Sequence, residues 1–254
     1  MAGLFYPEEP HELRAVVRGY LDRAPPVAGR PKAIIVPHAG YVYSGPIAAS
    51  AYRALDEVAP GVERVVLAGP SHRIPVPGIA VPEATSFETP LGRIPLDQPL
   101  IARLRALPRV LATNLPHRLE HSLEVQLPFL QVVLPPFSLL PLAAGAMDPD
   151  AMAAVFDACW GGDETLVVIS SDLSHYRDYA GAQAVDRRTV EAILARRDDL
   201  DDEQACGCQV LNGFMRVARR RGLALRALDV RNSGDTSGDR SRVVGYGAFA
   251  AYPG

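Results

Sequence analysis

Cysteine is scarce: the 254 residues contain only Cys159, Cys206 and Cys208. Three thiols cannot staple a chain of this length, so a disulfide framework is excluded and a reducing, cytoplasmic setting fits better. An excess of either charge is also missing. Lys and Arg total 26 against 29 Asp and Glu, a formal net charge of −3, which argues against a nucleic-acid partner. The basic run Arg216, Arg219, Arg220 and Arg221 falls at the end of a helical pattern, where cations suit the helix terminus. Long apolar runs are lacking too. The charge-free stretch from Val125 to Met147 is interrupted by four prolines, Gln126 and Gln131, so it does not supply the ~20 apolar residues of a membrane span. The opening MAGLFYPEEPHEL has neither the basic start nor the apolar centre of a secretory leader. No linker, repeat or low-complexity tract occurs. The expectation is one soluble cytoplasmic domain over 1–254, with 48% hydrophobic residues to fill its core.

What is present is an alternation of two patterns. Short apolar runs of buried-strand type occur at 32–36, 64–69, 78–82, 137–145, 164–171, 223–230 and 243–252. Amphipathic stretches of helical spacing occur at 10–22, 44–55, 99–107, 122–134, 149–159, 180–195 and 207–221. Ser44 is placed to cap the second of these, and Pro128 disturbs the fourth. Such alternation predicts an α/β fold with a mainly parallel sheet covered on both faces. Ligands in such folds bind beyond the carboxyl ends of the strands.

Chemistry-bearing residues gather at those ends. His38 follows AIIVP, His72 follows VVLAGPS, and Asp172 and His175 follow TLVVISS. His121 opens a helical stretch in LEHSLEVQLPF, whereas His11 and His117 have no comparable setting and read as surface residues. Imidazole both binds metals and moves protons near neutral pH. Four histidines exceed what most acid–base mechanisms need, so some are expected to hold a metal. Zinc and non-haem iron sites commonly take three protein ligands. The third ligand is open among Asp172, Glu124 and Cys206, because neither HExxH nor CxxC occurs. Ser71 adjoins His72 but is poorly placed by sequence to form a nucleophilic dyad with it. Tyr41 and Tyr43 either line a pocket beside His38 or pack under the following helix. NSGDTSGDRS (232–241) reads as a polar loop or a flap and lacks the lysine and glycine spacing of a phosphate-binding loop. Cys159, in AMAAVFDACW, reads as a small core residue.

Taken in order, FYP, VPHAGYVYSG, GPSH, EHSLEVQLPFLQ, SSDLSHY, ACG and the closing SGD…VVGY resemble the Memo-like proteins over nearly the whole chain. In bacteria and archaea these include component B of a system whose name joins Memo with a radical-SAM protein, and the resemblance implies a functional link to such a partner. The family's fold is similar to that of the class III extradiol dioxygenases, which implies a three-layer α/β/α domain. It further implies that His38 and His72 are metal ligands completed by Cys206, that His121 and His175 act as the acid–base pair, and that Asp172 orients a neighbour. Tyr41, Tyr43 and Ser71 are then candidates to contact the substrate.

The implied cofactor is Fe(II), and the implied substrates are a catechol-type or related aromatic compound and dioxygen. One departure bears on this. The dioxygenases use a carboxylate where this chain has cysteine, a softer donor that also suits copper or zinc. A zinc hydrolase and a metal- or peptide-binding protein without turnover are the alternatives. Cys208 has no counterpart among the matched motifs and reads as a neighbour of Cys206.

Overall fold

A computed structural model describes all residues from Met1 to Gly254. In chain order the elements are α1 (Pro10–Arg23), β1 (Ala33–Val36), α2 (Tyr41–Arg53), β2 (Arg64–Pro70), β3 (Ile79–Val81), β4 (Ser86–Thr89), β5 (Gly92–Pro95), α3 (Gln98–Leu104), β6 (Val110–Ala112), α4 (His121–Glu124) and α5 (Leu127–Val133). They continue with β7 (Ser138–Ala144), α6 (Pro149–Cys159), β8 (Thr165–Ser170), β9 (His175–Arg177), α7 (Tyr179–Leu194), α8 (Cys208–Arg220), β10 (Ala224–Asn232), α9 (Ser233–Ser237) and β11 (Val243–Tyr252). The central sheet runs β10-β11-β1-β8-β2-β7-β3-β6, with β9 attached to β11.

The four middle strands, β1, β8, β2 and β7, are mutually parallel. Antiparallel pairings join β11 to β1 and β3 to β7 on either side. Every residue of β1 and β8 is buried, so these strands read as unbroken apolar runs rather than alternating ones. Helices α1, α2 and α5 pack on one another, and α6 packs on both α3 and α8; the sheet with its helices forms a three-layer α/β/α fold. One apolar core runs from Tyr6 to Tyr252. No helix is long and apolar enough to cross a membrane.

Three local expectations change. The second helix starts at Tyr41 with Gly40 as its N-cap. Ser44 does not cap it: its hydroxyl donates back to the Ala39 carbonyl, while the Tyr41 amide donates to the Phe5 carbonyl. The stretch 122–134 is two short helices, because Pro128 has no N–H to continue α4 and instead sits in the first turn of α5. The 232–241 segment begins with the five-residue helix α9, closed by a capping box between Asn232 and Asp235.

The candidate metal centre

Strand β8 lies between β1 and β2, and all three point the same way. Their carboxyl ends therefore open at one edge. His38 stands two residues beyond β1, His72 two beyond β2, and Asp172 two beyond β8. Helix α4 adds His121 from its first position. Cys206 precedes Gly207, the N-cap of α8.

The rings of His38, His72 and His121 have centroids 5.2, 5.4 and 4.9 Å apart, with those of His72 and His121 nearly parallel. One potential ligand atom from each falls within 4.8 Å of the others. Phe5 stacks on the other face of His121 at 4.7 Å. The Cys206 Sγ lies 3.2 Å from His38 Nε2. Imidazole nitrogens and a thiol are the donors that zinc, iron and copper take, so the residues fit a transition metal. His38, His72 and His121 would hold it, with the Cys206 thiol beside His38.

Burial sets the electrostatics. It pushes His38 well below the ordinary imidazole range, helped by the neighbouring His72, His121 and His175. His121 falls to about 4, chiefly through burial, and His175 is lowered by burial and by His72. All three are neutral bases at pH 7. The Cys206 thiol is raised by burial and by Asp172, so it keeps its proton until a cation displaces it. Asp172 is pushed up to about 7 by burial, against the hydrogen bond from the His38 amide to its Oδ1 at 2.7 Å. It anchors the His38 loop, with Oδ2 4.0 Å from His38 Nε2.

Other candidates lie at differing distances from this chemistry. Tyr41 is buried between Tyr6 and Phe129, and its hydroxyl donates to the Val125 carbonyl at 2.6 Å. Tyr43, two residues on, is exposed. Ser71 donates to the Ile74 carbonyl at 2.7 Å and so shapes the loop carrying His72. Glu124 accepts from the Tyr6 hydroxyl at 2.7 Å and is tied to the N-terminal segment. Cys208 donates to Asp202 and is raised by burial to about 12, which leaves it an inert thiol. Cys159 is buried in α6. His11 is exposed, but His117 is not a surface residue. Its ring is half-buried, its Nε2 meets the Ala80 carbonyl at 3.2 Å, and burial lowers it to about 4.

Sequence reading missed Glu120. Its side chain is fully buried, accepts from the His72 amide at 2.6 Å and the Ser122 amide at 3.0 Å, and lies 2.9 Å from His72 Nδ1. Burial alone would raise this carboxyl, but the hydrogen bonds bring it down to about 2. The available signal was an acidic residue immediately before the α4 histidine, in a capping position. A cavity of about 770 Å³ lies elsewhere, against α7 and lined by Arg177, Arg188, Arg197, Glu191, Asp201 and Glu203.

A family model described as Memo-like protein matches residues 1–250. A MEMO1 family protein of Thermoplasma acidophilum is 32% identical, the match covering 99% of this chain and 97% of the relative. One from Aquifex aeolicus is 34% identical over 97% of this chain and 95% of its own, and one from Thermotoga neapolitana 35% over 97% and 96%. With a matching family model over nearly its full length and relatives of this closeness, the chain belongs to the Memo-like family.

Proposed function

We propose that this chain is a metal-dependent enzyme of the ring-cleaving dioxygenase kind, taking Fe(II) and acting on a catechol-type or related aromatic substrate. The observation that carries this reading is the meeting of His38, His72 and His121, with the Cys206 thiol against His38, at the shared edge of β1, β8 and β2. Ferrous iron held there would supply the redox chemistry that activates dioxygen toward an aromatic diol. The protein does the rest. His175, held neutral by burial on the short strand β9, accepts a proton from a substrate hydroxyl. Asp172 and Ser71 hold the loops that carry His38 and His72. Exposed Tyr43, in the first turn of α2, would offer an aromatic ring to the substrate, and buried Tyr41 secures the α2 start through the Val125 carbonyl.

One observation favours a second reading. His121 stands within the ligand group rather than apart from it, and four donors that all hold metal leave less room for substrate. That arrangement suits a metal-binding protein without turnover, for copper or zinc as well as iron. The test is oxygen uptake by anaerobically Fe(II)-loaded protein with a panel of catechols, for the wild type, His38→Ala, His121→Ala and His175→Ala. The enzyme reading expects uptake in the wild type, its loss with iron retained in His175→Ala, and its loss with iron in His38→Ala. Iron bound without uptake by any substrate, and iron lost in His121→Ala, would favour the binding protein.

A further inference from the structure

An imidazole can offer a metal only the nitrogen that carries no proton, so the tautomer decides which way a histidine binds. Two separate sets of hydrogen bonds bear on this choice. Around Glu120, Oε2 accepts from the His72 amide and Oε1 from the Ser122 amide. Backbone amides only donate, so both oxygens must be acceptors. Oε1 is also 2.9 Å from His72 Nδ1. A carboxylate that already accepts from obligate donors at both oxygens takes a proton-bearing Nδ1 as its next partner.

His38 reaches the same condition by other residues. Gln126 Nε2 lies 2.9 Å from both the Pro37 carbonyl and Ser170 Oγ, while the Tyr52 hydroxyl donates to Gln126 Oε1 at 2.9 Å. The Pro37 carbonyl can only accept, which fixes the amide orientation. Ser170 Oγ thus accepts from Gln126, and its own hydrogen goes to the Ser122 carbonyl at 2.5 Å. One lone pair remains, and His38 Nδ1 lies 2.9 Å from it. All these groups are buried, where an unmatched donor or acceptor costs about 1–3 kcal/mol.

We infer that Glu120 and the Gln126–Ser170 pair are positioning residues that hold His72 and His38 as Nδ1–H tautomers, so that both present a bare Nε2 to the shared centre. The metal role of those nitrogens rests on the proposed function, but the tautomers themselves do not. His121 Nδ1 stands farther from Glu120, at 3.4 Å, and is not included.

The experiment is long-range ¹H–¹⁵N NMR on metal-free protein with ¹⁵N-labelled histidine, the signals assigned by single-histidine variants. His38 and His72 are expected to show a protonated Nδ1 and a bare Nε2. His117, whose Nε2 donates to Ala80, is expected to show the opposite tautomer in the same spectrum. Glu120→Gln sets an amide N–H against one obligate donor whichever way it flips, and should mix the His72 tautomers while leaving His38 unchanged. Ser170→Ala should do the reverse. Titration with Zn(II) should then find each variant about 10–100-fold weaker in affinity, as for lost partners of ligating histidines. An Nε2–H tautomer at His72 or His38 in the wild type would overturn the inference. So would variants that shift both histidines together or neither, since general loosening has no reason to choose between them. If Glu120→Gln does not fold, the wild-type spectrum and Ser170→Ala still decide. Failure of catalysis leaves these tautomers standing, so the two readings fail separately.

Discussion

Cys206 carries two opposed influences. It precedes the α8 N-cap, where the helix dipole favours an anion, yet burial and Asp172 together raise its thiol. Metal binding must therefore release its proton. Calorimetry of Zn(II) binding in buffers of differing ionisation enthalpy should find one proton fewer released by Cys206→Ser than by the wild type; equal release would remove Cys206 from the ligand set. His117 supplies a prediction away from the metal. Its folded value of about 4 lies below the ordinary 6.5, so the folded state resists the proton. The associated cost is absent above pH 6.5, grows as pH falls through that value, and is complete near 4. With 1.36 kcal/mol for each pH unit, it reaches about 3 kcal/mol. His117→Gln, which can still reach the Ala80 carbonyl and does not titrate, should gain on the wild type by this amount in denaturant unfolding between pH 6.5 and 4. Parallel stability curves would show that the ring is free to protonate when folded.

Among the elements, the junction of β8 with α8 has little tolerance. A Cβ on Gly207 would meet Ser171 Cβ at 2.7 Å and the Ser170 carbonyl at 3.0 Å, and the Gly207 amide donates to Ser171 Oγ. Gly207→Ala must push the start of α8, and Cys206 with it, away from β8. The expected result is a loss of about 1–3 kcal/mol in chemical denaturation together with at least tenfold weaker Zn(II) binding. Lost stability with unchanged affinity would mean that this junction does not place the thiol. The long elements were legible because β1, β2, β7 and β8 are short apolar runs and α6, α7 and α8 are amphipathic. The hairpin β4–β5 and strand β9 were not, since partly exposed segments such as HYR show no hydrophobic period. The α2 start was missed for a different reason: its first amide is satisfied by Phe5, a tertiary partner 36 positions earlier that no local pattern reports.

For the molecule as a whole, the strand order explains why the site could be read from sequence in part. Histidines after two apolar runs are visible to any reader, and their meeting follows once β1 and β2 flank β8 in parallel. The inclusion of His121 with them, and the buried Glu120, Gln126 and Ser170 behind them, depends on how α4 and α5 break across the sheet edge. A glutamate before a histidine gives no sign of which atoms it will face. On the proposed function, this edge binds one transition metal through His38, His72 and His121, with Cys206 beside His38. The most direct test of this is the metal content of protein loaded anaerobically with Fe(II) and desalted, wild type beside a His38→Ala/His72→Ala double variant of verified fold. One iron per chain is expected in the wild type and none above background in the variant. A folded wild type that retains no metal, or a double variant that retains as much, would contradict it.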